Sequence, residues 1–207
     1  SVLRPVVKRL APSSLKSPTN QADYLLLGPQ AFLAAAQPLL DLRESQGLAT
    51  KAVSLEEVYE QFGHGEVSPE AIKEFLEYAY HFWAAPSLRY VLLLGDASYD
   101  PKDNLQTGVK DWLPGFPVRT SYLWTVSDPA YGSVNGEDLL PDVAIGRLSA
   151  GSLEEARILV EKLVAFEGSG RTLQGRAVLI ADNADAGGAF EADSDELANG
   201  VLSHREI

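Results

Sequence analysis

Cysteine and methionine are absent from these 207 residues, and histidine occurs only three times. Without cysteine there can be no disulfide, no thiolate metal site and no cysteine nucleophile within this stretch. The histidines, His64, His81 and His204, are scattered with no paired spacing, which leaves zinc little support. Cations are also scarce: 17 Lys and Arg face 29 Asp and Glu, giving a formal net charge of -12 and a pI of about 4.6. Such a surface repels phosphate backbones and anionic lipid, so nucleic acid is not an expected partner; it attracts cations and basic peptides. No apolar run approaches the ~20 residues that span a bilayer, so no transmembrane segment is expected. With no methionine at position 1 or elsewhere, the sequence reads as a piece of a longer precursor, although removal of an initiator explains the first residue equally well. Pro5 and Pro12 interrupt the start in a way that a secretory signal peptide would not.

What is present is ordinary globular composition, 45% hydrophobic and 22% charged, enough for one to one and a half domains with a useful core. Residues 1–20, rich in Pro, Ser, Lys and Arg, read as a linker or extended arm, with order beginning near Asp23 and one domain over 21–207. Residues 24–27 predict a strand, 31–45 a helix stopped by Gly47, and 48–53 a second strand, together a βαβ unit. Ser54 with Glu57 has capping-box spacing for a short helix, and Ser68-Pro69 opens another that ends before Pro86. Residues 89–94 are apolar at both alternating positions, as a strand covered on both faces requires. Residues 95–141 lack a clear period and are expected to hold hairpins. Residues 143–147 predict a strand, Ser152 with Glu155 caps a helix to Phe166, 177–181 predict another strand, and a last helix is expected over 194–203. The fold class is α/β, a mainly parallel sheet with helices on both faces.

In open sheets of this kind ligands sit beyond the carboxyl ends of the strands. Two acid groups are expected there: Asp96, Asp100 and Asp103 after the strand ending at Leu94, and Asp182, Asn183 and Asp185 after residue 181. A third, Asp128, Glu137 and Asp138, lies in the loop before Val143. Loop carboxylates with nearby carbonyls suit Ca²⁺, so Asp96, Asp100 and Asp103 are candidate metal ligands; acids at loop starts equally serve as turn formers. No G-x-S-x-G, P-loop or G-x-G-x-x-G motif occurs, which removes the usual support for serine hydrolase, nucleotide and dinucleotide functions. His64, in Gly63-His64-Gly65, reads as a turn between helices, and His81 as an interfacial residue.

RYVLLLGDASYD (89–100) and SDPAYGSVNGEDLLPDVAIGRL (127–148), followed by SLEEARILVEKLVAFE, resemble the gingipain-like cysteine peptidases of clan CD; SLEEVYEQF and SPEAIKEFLEYAY fit as well. The resemblance implies a caspase-like fold, incomplete here at its C-terminus, and a secreted or cell-surface location. It implies a Cys–His dyad that cleaves peptide bonds and that would lie beyond Ile207, making the remaining C-terminal polypeptide a partner. It further implies that Ser194 and Asp195, with Asp193 as the neighbouring choice, sit at the base of a pocket for a basic substrate side chain; read from the residues alone, Ser194 and Asp195 could equally start the last helix. The same resemblance admits a non-catalytic binding or secretion-associated module, with calcium as a stabiliser compatible with either.

Overall fold

The computed structural model describes residues 14–136, 138, 140–170 and 177–203, so most of the arm, Glu137 and His204 lie outside the described residues. Two compact units divide at Ala165 and Phe166. The first holds a sheet of four parallel strands in the order β2-β1-β3-β6, where β1 is Tyr24–Gly28, β2 Thr50–Ser54, β3 Tyr90–Leu94 and β6 Ala144–Leu148. Strand β1 is buried along its whole length because helices cover both sides.

The period of two sorts the side chains cleanly. Leu25, Leu27, Val53, Val91 and Leu93 face one core with α3 (Leu55–Phe62) and α4 (Pro69–Phe82); Tyr24, Leu26 and Leu94 face the other with Phe32, Ala36, Leu40 and Ala156. The last four come from α1 (Gln30–Leu33), a 3-10 turn Ala34–Ala36, α2 (Gln37–Ser45) and α5 (Leu153–Gly168). The helix expected over 31–45 is therefore broken. Pro38 is the reason: it lacks an N–H and its ring crowds the carbonyl four residues back, so the ladder tightens to 3-10 just before it. Gly47, at φ 88°, turns the chain out of α2 as anticipated.

Caps behave as local chemistry requires. Ser54 Oγ accepts the Glu57 N–H at 3.2 Å, but the return bond of a capping box is replaced by the Ser54 hydroxyl donating to Glu57 Oε2 at 3.3 Å. Ser68 Oγ accepts the Ala71 N–H, and Pro69 opens α4 where no N–H is needed. Residues 14–20 fold onto this unit, ahead of the Asp23 onset read from composition: Leu15 is buried, its carbonyl accepts the Trp83 indole N–H at 2.9 Å, and the Tyr78 hydroxyl donates to the Lys16 carbonyl. Within 95–141 the expected hairpin is a short antiparallel ribbon of β4 (Pro117–Arg119) and β5 (Trp124–Val126), followed by a 3-10 turn Asp128–Gly132.

In the second unit the strand expected over 177–181 is not formed. Val178 and Ile180 are 72% and 91% exposed, and among the described residues no strand lies alongside to complete a ladder, without which an extended apolar run has no hydrogen-bonded partner. The last helix, α6, is Phe190–Asn199, starting earlier than Ser194 and ending at the Asn199-Gly200 junction. Glu191 and Asp193 occupy its first turn, where acids favour the positive end of the helix dipole, and this outweighs Ser194 as a cap.

Candidate functional site

At the carboxyl end of β3 the chain passes through Gly95 and Asp96, and the Asp96 backbone is locked into its surroundings. Its N–H donates to the Ala150 carbonyl at 2.9 Å, and its carbonyl accepts from Trp112 and Leu113 at 3.0 and 3.1 Å. Asp111 lies close by, accepting the Ser98 N–H at 2.9 Å. Burial raises the Asp111 carboxyl above its usual range and Asp96 adds repulsion, while the Ser98 bond and Arg147 pull it down.

The organising group is Arg147, near the end of β6. Its Nε and Nη2 hold both oxygens of Asp128 at 2.7 Å, Nη1 donates to the carbonyls of Gly95 and Leu113 at 2.9 and 2.8 Å, and Nη2 reaches the Pro114 carbonyl at 3.3 Å. The two side chains are 11% and 28% exposed. A planar fork of donors is what this task needs, because one guanidinium can serve a carboxylate and several carbonyls at fixed angles. Nothing in the spacing of residues 127–148 assigns Arg147 a role; a charged residue in an otherwise apolar strand is the signal that could have found it. Tyr131, whose buried hydroxyl donates to the Pro114 carbonyl at 2.7 Å, fixes the same loop from below, and burial pushes its phenol far above the ordinary range.

The three candidate metal ligands are engaged separately. Asp96 Oδ1 accepts the Ala97 N–H. Asp100 accepts the Leu105 N–H at 2.6 Å and the Asn104 amide at 2.9 Å, with the Leu105 bond foremost in holding its carboxyl below the usual range. Asp103, at φ 49°, accepts the N–H groups of Thr107 and Gly108. Among the described residues no group of three or more His, Cys, Asp or Glu side chains is placed to hold a metal ion. The other acid groups also act locally: Asp182 accepts the Asn183 N–H, Asp185 accepts the Gly187 N–H, and Asp138 accepts the Leu140 N–H while Asp128 is bound to Arg147. His64, at φ 53°, sits in an exposed turn, and His81 Nε2 lies 2.9 Å from the Val134 carbonyl.

In the second unit, Ser194 and Asp195 lie in the middle of α6 rather than at its start. They border an open depression of about 540 Å³ together with Glu191, one turn earlier, and Val178, Leu179 and Ala181. Asp195 is exposed and Ser194 half-buried at this depression. Asp193 borders a neighbouring depression instead.

The parallel sheet with helices on both faces, its strand ends tied by Arg147 to a long loop, defines a domain of the caspase-like α/β class. The model of peptidase family C25 matches residues 17–204, and the chain belongs to that family. It is 25% identical to gingipain R2 of Porphyromonas gingivalis over 183 residues, 87% of this chain and 22% of that protein. An uncharacterized protein of Archaeoglobus fulgidus is 25% identical over 156 residues, 70% of this chain and 35% of that one. The chain thus spans well under half of these relatives. Among solved structures, dimeric latent PorU from Porphyromonas gingivalis superposes with a TM-score of 0.61 at 24% identity, covering 72% of this chain and 16% of that one. The Arg-specific cysteine proteinase gingipain R (RGPB) gives 0.57 at 21% identity, covering 90% and 40%. Both likenesses bear on the fold.

Proposed function

We propose that this chain is the N-terminal portion of a gingipain-like cysteine endopeptidase, contributing the sheet scaffold and an acidic seat for a basic substrate side chain. The seat is Asp195 with Ser194 on α6. One observation carries this reading: Glu191 and Asp195, four residues apart, flank a depression whose other wall is the aliphatic run of Val178, Leu179 and Ala181. An arginine or lysine side chain has the same division, an apolar stem and a cationic head. A carboxylate meets a guanidinium through paired charge-assisted hydrogen bonds, and a chain of net charge -12 attracts basic peptides at longer range.

The Cys–His dyad belongs, on this reading, to polypeptide following Ile207, where a thiolate oriented by the imidazole would attack the substrate carbonyl. The substrates are peptides or proteins, and the location is secreted or at the cell surface; among the described residues no helix is long and apolar enough to cross a membrane. Two measurements test the proposal. Residues 1–207 alone should hydrolyse no Arg- or Lys-containing peptide, and cleavage that survived replacement of all three histidines would overturn the assignment. In the full polypeptide, Asp195→Asn should lower kcat/KM for such peptides by about fivefold, the loss expected for one partner of a solvent-exposed charge pair. Unchanged kcat/KM in both Asp195→Asn and Glu191→Gln would overturn the seat while leaving the family assignment standing.

A further inference from the structure

The dipeptide Asn-Gly occurs twice, at Asn135-Gly136 and Asn199-Gly200, and the fold puts the two in opposite circumstances. Asn135 is exposed in the loop between the 3-10 turn Asp128–Gly132 and β6. Its side-chain amide and the N–H of Gly136 make no hydrogen bond among the described residues. Gly136 stands at φ 83°, with nothing within 4 Å of where a Cβ would lie. Asn199, by contrast, donates from Nδ2 to the Asp195 carbonyl at 2.8 Å, and the Gly200 N–H donates to Glu196 O at 2.9 Å. That second pair is held by the last turn of α6, and a Cβ on Gly200 would meet the Glu196 carbonyl at 2.9 Å.

We propose that Asn135 is a site of spontaneous deamidation, protected at Asn199 and open at the loop. The Gly136 nitrogen, after passing its proton to a solvent base, attacks Cγ of Asn135. The new N–Cγ bond forms, the Cγ–Nδ2 bond breaks, and the amide nitrogen leaves as ammonia after taking a proton from water. Water then opens the cyclic succinimide at either carbonyl, giving aspartate or, where the original main-chain bond is the one cleaved, isoaspartate. Glycine favours the first step because it lacks the side chain that would obstruct the approach, and its backbone turns freely.

The product falls where it has a structural consequence. Asp142 Oδ2 accepts the N–H groups of Val134 and Asn135 at 3.0 and 2.9 Å, while the N–H groups of Asp142 and Val143 donate to the Gly132 carbonyl at 2.8 and 3.2 Å. This clasp leads the chain into β6. A carboxylate at position 135 repels that of Asp142, and an isoaspartate lengthens the main chain between two pinned points, so the modified loop opens.

The experiment incubates the purified chain at mildly alkaline pH and follows both Asn-Gly peptides by mass spectrometry with chromatographic separation of isoaspartate. Conversion at Asn135 should run about tenfold faster than at Asn199, the ratio expected when reaction at the latter must first break a hydrogen bond. In denaturant the two rates should converge, and Gly136→Ala should slow the loop site alone. Amides of Val134 and Asn135 should exchange faster in the modified fraction. Equal rates in the folded chain, or an Asn135 that converts only when the chain is unfolded, would overturn the proposal.

Discussion

Replacing Arg147 with methionine keeps most of the side chain's volume and apolar stem but deletes the fork that joins β6 to the long loop. The Asp128 carboxylate, 28% exposed, then loses its bidentate partner, and the carbonyls of Gly95, Leu113 and Pro114 lose a shared donor. Removing one member of a buried pair costs roughly 3–5 kcal/mol; partial exposure of Asp128 lowers that and the three carbonyls raise it, so about 3–4 kcal/mol is expected. For a chain of this size that corresponds to a fall in Tm of roughly 6–16 °C. Urea unfolding followed by tryptophan fluorescence reads the loop directly, since Trp112 and Trp124 lie in the segment that Arg147 holds. Arg147→Lys retains the charge but not the fork and should recover less than half of the loss. A cycle with Asp128→Asn should give a coupling of at least about 1 kcal/mol. A loss below about 1 kcal/mol for Arg147→Met, or full recovery with lysine, would refute the idea that one guanidinium organises this loop.

Further outcomes follow from other sites. Gly28→Ala places a Cβ 2.8 Å from the Leu94 carbonyl, so β1 and β3 must part or shift at their carboxyl ends; a loss of about 1–3 kcal/mol is expected in chemical denaturation. The Asp111 carboxyl is raised by burial, so the folded state holds its proton to higher pH than the unfolded chain does. Its contribution is present below the ordinary carboxylate pKa and lost as pH rises through the folded value, and Asp111→Asn should therefore gain stability at neutral pH relative to acid, by under about 1 kcal/mol at this exposure. Asp100 is shifted the opposite way by the Leu105 N–H: its contribution holds above the ordinary carboxylate pKa and disappears as pH falls through the lowered value, and Asp100→Asn should flatten the acid limb of a pH–stability curve. Because Asp96, Asp100 and Asp103 are each engaged by their own turns, EDTA or millimolar Ca²⁺ should leave Tm unchanged within about 1 °C; a rise that grows with Ca²⁺ concentration would mean that the loop rearranges around the ion.

The parts of this protein legible in its sequence are those governed by near neighbours. Short continuous apolar runs marked β1 and β3, Ser68-Pro69 and Ser152 with Glu155 marked helix starts, and Pro38, read strictly, marks the break between α1 and α2. Side-chain caps and proline sterics act within four residues, so the sequence carries them whole. The strand order β2-β1-β3-β6 and the joining of Arg147 to Asp128 and to the Gly95 carbonyl, 19 and 52 residues away, depend on which strands lie side by side. Acid spacing was silent on convergence, because a loop carboxylate can aim at an ion or at its own backbone, and here turn geometry chose the backbone. Residues 177–181 make the same point from the other direction. Their continuous apolar run suits a strand, but a strand exists only when a neighbour supplies the opposite half of the ladder, and that partnership is not a property of five residues.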